Sequence, residues 1–179
     1  VHQANSYIGR HVVAALTAAK YQVYGDKGQI RKFAAPNHSP VPHFDVVSGL
    51  DEAYALCNTF VFDIREDPSL ALQSFARFEA AATNIKIVLI STLMTWALTY
   101  EKKKEITIPT EAQEDEHPPI VIKEERKPLT GDDYRKRKPH PNFIAQYQTE
   151  LKAFKLDHEN PFVTVYILAC GIPYGDGED

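Results

Sequence analysis

The chain has 179 residues, 44% of them hydrophobic and 25% charged, with a formal net charge of −4. That is the length of one domain with enough apolar material for a core, and the charge balance gives no general attraction to nucleic acid or an anionic membrane. The longest apolar runs, 85–96 and 162–172, fall short of the ~20 residues a bilayer-spanning helix needs, so no membrane span is expected. Two cysteines, Cys57 and Cys170, form no disulfide framework and fit a reducing, cytoplasmic compartment. The chain opens at Val1 without a charged-then-apolar leader and reads as an excised or partial piece of a longer polypeptide.

The first segment, Gln3-Ala4-Asn5-Ser6-Tyr7-Ile8-Gly9-Arg10-His11-Val12, lies where a dinucleotide-binding fold places its phosphate cradle. In that cradle the first glycine makes the strand-to-helix turn, the second lets the backbone approach a pyrophosphate, and the third allows helix and sheet to pack closely. Gln3 and Ser6 stand at the first two spacings and only Gly9 remains. The packing glycine is kept while those nearest the phosphates are lost, which predicts a retained fold with weakened or absent cofactor binding. If NAD or NADP were held, Ser6, Tyr7, Ile8 and Gly9 would form its cradle.

Over 8–20 the apolar residues Val12, Val13, Ala15, Leu16 and Ala19 recur at helical spacing, and 21–24 is a short β-prone run. Asp26 then stands where an acidic residue binds a ribose hydroxyl. Gly25-Asp26-Lys27-Gly28 is equally a turn sequence, which explains Asp26 without a ligand. Three prolines mark 32–42 as a loop, with a short strand expected at 44–47 and a helical turn at 51–56. The run 59–64 is almost continuously apolar, as in a strand covered on both faces, and 68–82 has helical spacing starting from Pro68. Two further apolar runs, 85–90 and 162–170, read as strands, the second preceded by a helix over about 142–155. This alternation predicts an α/β fold: a partial, doubly wound, Rossmann-like parallel sheet in a single domain over 1–179. Between 100 and 133 the chain is dense in Glu, Lys and Pro, and reads as a charged surface insertion, either a solvated loop or a docking segment for a partner.

Three segments in order resemble the extended short-chain dehydrogenase/reductase family: the turn Ser6 to Val12; Ile87-Val88-Leu89-Ile90-Ser91-Thr92 with Trp96-Ala97; and Val163 to Cys170 leading into Gly171-Ile172-Pro173-Tyr174-Gly175. A second resemblance is carried by Ser91 to Ala97, by Asp133-Tyr134-Arg135-Lys136-Arg137-Lys138-Pro139-His140-Pro141-Asn142-Phe143, and by Ile172 to Gly175. These are similar to the amino-terminal region of a long ciliary member of the adenylate kinase family, which carries a dehydrogenase-like domain ahead of its kinase domain. The resemblance implies a structural module among axonemal proteins of a cilium or flagellum. Kinase activity is not expected here, because the chain contains no Gly-rich loop ending in Gly-Lys.

An active dehydrogenase of this kind needs a Tyr and a Lys four residues apart on a helix, with a Ser or Thr on the substrate carbonyl. Tyr134 and Lys138 have that spacing, and Thr92 ends a strand. Pro139 and Pro141 oppose a helix through the pair, however. If Glu150 is instead aligned with the acidic residue one turn after the family's lysine, Gln146 and Asn142 stand at the Lys and Tyr positions, and neither transfers a proton. Catalytic residues and cofactors are therefore not expected; if the domain were active, Thr92, Tyr134 and Lys138 would be the set. The basic run 135–138 reads as a surface contact for acidic protein. The seven histidines show no ligand spacing, so no metal is expected.

Overall fold

A computed structural model describes residues 1–26, 44–99, 102–108, 121–127 and 129–172. For 102–108 and 121–127 the description is of the backbone alone. Lys27, Gly28 and the Pro173-Tyr174-Gly175 turn lie outside it. Helix α1 spans Tyr7–Ala18. Strands β1 (Tyr24–Gly25) and β2 (Asp45–Val46) pair in parallel. Helix α2 (Leu50–Leu56) leads into β3 (Thr59–Asp63), α3 (Ser69–Glu79) and β4 (Ile85–Thr92). After β5 (Lys102–Ile108) and β6 (Val121–Lys127) come α4 (Ile144–Glu159) and β7 (Val163–Cys170).

The sheet β3-β4-β7 is parallel throughout. The α/β expectation holds, and the two parallel sheets form a partial Rossmann-like arrangement. They are joined by the first two residues: the Val1 amino group donates to the Tyr24 carbonyl at 2.7 Å, and the His2 amide to the Val61 carbonyl at 2.9 Å. Residues 1–2 thus bridge the edges of β1 and β3.

The main core forms because even-numbered positions of β3 and odd-numbered positions of β4 and β7 share one face. Phe60, Phe62, Ile64, Ile87, Leu89 and Val163 meet Ala71, Phe75 and Phe78 of α3 and Ala153 and Leu156 of α4 there. Ring centroids of Phe60 and Phe78 lie 4.9 Å apart, and Tyr54 of α2 meets Phe78 edge-on at 5.4 Å. Such pairs add about 1 kcal/mol each beyond the area they bury. Asn160, which ends α4, fastens this layer: its side-chain amide reaches the carbonyls of Phe78, Glu79 and Ala81 at 3.1–3.2 Å. This adds a side-chain partner at the end of α3, where helix carbonyls lack intrahelical donors. A second cluster, Ala4, Val13 and Val23, lies under α1 with Leu16 and Phe44 packed against it.

The charged insertion differs from the expected loop. Its described residues form an antiparallel pair, β5 with β6. The register sets Ile106, Thr107 and Ile108 opposite Lys123, Ile122 and Val121, so β-branched residues cluster at one end of the ribbon. Toward the other end, like charges face one another at Lys102 and Lys127 and at Lys103 and Arg126. Cys57 and Cys170 are half-buried and free.

Gly9 shows why one glycine of the turn is indispensable. A Cβ there would lie 2.1 Å from the Gln3 carbonyl oxygen and 2.9 Å from the Ala4 backbone, whereas at Gly131 it would meet nothing within 4 Å. Backbone cannot give way as a flexible side chain can, so Gly9→Ala is expected to cost about 2 kcal/mol in urea unfolding. Gly131→Ala should stay within about 0.5 kcal/mol of the parent.

Candidate functional site

Parallel α/β sheets place their sites at the carboxyl ends of the strands. Here those ends are reached by the turn before α1, by Asp63, by Ser91 and Thr92, and by the amino-terminal half of α4. The turn keeps the path a glycine would favour: Gln3 has φ 52°, in the left-handed region that side chains disfavour. Its amide donates to Asp26 Oδ1 at 2.5 Å, and His2 Nε2 lies 3.7 Å from Asp26 Oδ2. Ser6 caps α1, its Oγ accepting from the Gly9 amide at 3.0 Å. Tyr7 stacks edge-on against His11 at 5.1 Å, and Ile8 is half-buried beside it. Ser6 and Asp26 therefore make internal bonds that hold the turn in shape.

At the end of β3, Asp63 and Arg65 form a two-pronged ion pair, Nε to Oδ1 at 2.9 Å and Nη2 to Oδ2 at 2.6 Å. The hydrogen bonds to Asp63 raise the Arg65 pKa. Thr92 ends β4 as a cap: its Oγ1 accepts from the Met94 amide at 3.2 Å and its carbonyl from Thr95 Oγ1 at 3.0 Å. Tyr134 lies in a 3-10 turn, Gly131–Lys136, half-buried with its ring 4.8 Å from that of Phe154 and its hydroxyl 2.8 Å from Arg135 Nε. Lys138 follows the extended Arg137 (φ −64°, ψ 146°), so Tyr134 and Lys138 share no helix. The Lys138 side chain is exposed, while its backbone is tied to Leu98 and Thr99. That tie brings Lys138 to the segment that follows Thr92.

The centre of the site is a group that no motif announces. Glu150 of α4 is fully buried, accepts from the Ser91 hydroxyl in a very short hydrogen bond, and lies 2.6 Å from Arg137 Nη2. The Arg–Glu contact is an ion pair off the hydrogen-bond axis, since neither atom has an aligned partner. Arg137 is only 5% exposed and its guanidinium sits among Tyr147, Trp96 and Phe154, 5.1, 5.6 and 6.0 Å from their ring centres. The surface reading of the basic run is thus corrected at Arg137: aromatic rings and a buried carboxylate draw it inward, leaving Arg135, Lys136 and Lys138 exposed. Gln146, one turn before Glu150, is buried and donates to the Arg65 carbonyl at 3.1 Å, whereas Asn142 is exposed.

Burial raises the Glu150 pKa, outweighing the opposing effects of the Ser91 hydroxyl, Arg137 and Thr95. A raised folded-state pKa means that this group's contribution to stability is complete below its ordinary value of 4.5 and is lost as pH rises through the folded value. Arg137 moderates that loss. Among the described residues no cluster of three metal-binding side chains occurs, and no helix is long and apolar enough to cross a membrane.

The fold and site together define a partial Rossmann-like α/β unit whose strand-end polar groups bond to one another. No protein-family model and no solved structure matches the chain. It is similar to adenylate kinase 7 of Mus musculus, 25% identical over an alignment of 126 residues that covers 66% of this chain and 18% of that protein. The chain therefore spans less than a fifth of this relative's length.

Arg137→Met leaves a buried carboxylate with no cation and is expected to cost about 3 kcal/mol at neutral pH. The penalty should shrink as pH falls and Glu150 takes up a proton. Arg137→Met combined with Glu150→Leu should cost less than Arg137→Met alone. Urea unfolding of the three proteins at pH 4.5 and pH 7.5 measures all these differences.

Proposed function

We propose that this chain is a catalytically degenerate domain of the dinucleotide-binding type, serving as a docking module in a ciliary or flagellar axonemal complex. It would belong to a longer adenylate kinase 7-like polypeptide, with nucleotide phosphoryl transfer carried out elsewhere in that protein. The observation that carries this reading is the state of α4 and of the short turn, Pro141–Phe143, that leads into it. At the positions where the dehydrogenase resemblance calls for Tyr and Lys stand Asn142 and Gln146, and Gln146 is buried against the Arg65 carbonyl. One turn on, Glu150 is committed to Ser91 and Arg137. A general acid needs a titrating group within reach of substrate, and this helix offers an amide and an enclosed carboxyl.

The turn supports the same reading. Ser6 and Asp26, the side chains best placed to greet a dinucleotide, bond to the Gly9 and Gln3 amides. Of the amides that would cradle phosphate, those of Ser6 and Gly9 are satisfied from within the protein, by the Gln3 carbonyl and the Ser6 hydroxyl. For docking, the chain offers the exposed Arg135, Lys136 and Lys138 and the charged ribbon β5–β6, which suit carboxylate-rich protein surfaces.

Calorimetric titration with NAD and with NADP tests the proposal. No heat of binding is expected at micromolar concentrations of either. Micromolar affinity would instead favour an NAD(P)-dependent reductase or epimerase working through Thr92, Tyr134 and Lys138.

A further inference from the structure

The ribbon β5–β6 has two unlike faces. Successive residues of a strand belong to opposite faces, and residues directly opposite in an antiparallel pair share one. The register therefore places Lys102, Lys104, Lys123 and Lys127 on one face with Glu125, and Ile106, Ile108 and Val121 end that face. The other face carries Lys103, Glu105, Glu124 and Arg126. Its charges balance: Lys103 is diagonal to Glu124 and Glu105 to Arg126, two neighbouring pairs of opposite sign. On the first face a single glutamate stands among four lysines, and Lys102 is directly opposite Lys127. Like charges at facing positions weaken a ribbon, so this excess does not serve the ribbon's own stability.

We propose, building on the docking role above, that the lysine face binds an extended acidic segment of a partner protein. Carboxylates at alternate positions of the segment would lie over the lysines, and its aliphatic residues over Ile106, Ile108 and Val121. Alternate positions of an extended chain are about 7 Å apart, which is also the repeat of the lysine row on each strand. A nucleic acid fits less well, because single strands are held by aromatic residues on which bases stack, and neither described strand of the ribbon carries one. An anionic membrane is attracted by broad positive charge, whereas the second face is balanced and the chain as a whole stands at −4. The chain just before the ribbon is anchored to the segment that leads into α4, the Leu98 amide donating to the Lys138 carbonyl at 3.0 Å and the Lys138 amide to Thr99 Oγ1 at 2.8 Å.

The probe is a fluorescent peptide, Ile-Thr-Glu-Thr-Glu-Thr-Glu-Thr-Ile, titrated with the full chain at low ionic strength and followed by anisotropy. Two double variants remove the same charge from adjacent positions of the ribbon: Lys102→Gln with Lys127→Gln from the first face, and Lys103→Gln with Arg126→Gln from the second. Each relieves a like-charge pair, so neither should unpair the strands. The first is expected to weaken peptide binding about tenfold, and the second by less than about twofold. Equal losses would overturn the proposal, because the peptide would then be sensing net charge rather than a face. Failure of the peptide to bind the parent chain would overturn it too, as would tighter binding of oligouridine RNA or of phosphatidylserine vesicles. A loss produced only by Arg135→Gln with Lys136→Gln would overturn the ribbon site while leaving the docking role in place.

Discussion

The site depends on one enclosed carboxyl group. Glu150 has no solvent exposure, yet it stands where three parts of the chain converge: the end of β4 through Ser91, the 129–140 segment through Arg137, and α4 itself. An unpaired ionised carboxylate could not be kept in such a place, so each neighbour is there to satisfy it. Trp96, Tyr147 and Phe154 surround the Arg137 guanidinium, and the next residue, Lys138, is bonded through its backbone to Leu98 and Thr99. The pair acts with the His140 amide's bond to the Met94 carbonyl and the Tyr134–Phe154 contact to hold the segment that precedes α4.

The same economy governs the turn before α1. Gln3 adopts a glycine's backbone conformation at some strain, and Asp26 compensates by accepting its amide. Gly9 is kept because the turn passes too close for a side chain. The turn before α1 is thus held by its own bonds, Ser6 to Gly9 and Asp26 to Gln3. At both ends of the site, polar side chains bond to neighbouring parts of the chain.

How much of this was legible varies with the physics involved. The apolar runs giving β3, β4 and β7 could be read directly, because strands covered on both faces must be apolar along their length, and the helices between them followed from spacing. Gly9 was legible as a packing glycine from local chemistry alone, whereas the bond from the Gln3 amide to Asp26 joins positions 23 apart and no local pattern contains it. Arg137 was not: the aromatic rings that draw it inward come from positions 96, 147 and 154, and within its own run it looks like its solvated neighbours. The β5–β6 ribbon was hidden for a different reason. Its register opposes Lys102 to Lys127 and Glu105 to Glu124, pairings that cross-strand preferences count against, so main-chain hydrogen bonding rather than side-chain pattern supports it. Glu150 was legible as a helix position by resemblance, but its burial depends on contacts no linear pattern contains.

The account rests on Glu150 being a buried structural carboxyl, and its titration is the most direct test. Carbon-detected NMR of the Glu150 side-chain carboxyl across the acid range should show a midpoint above its ordinary value of 4.5. A midpoint at or below that value would place Glu150 in contact with solvent or under the dominance of Arg137, and would contradict the account.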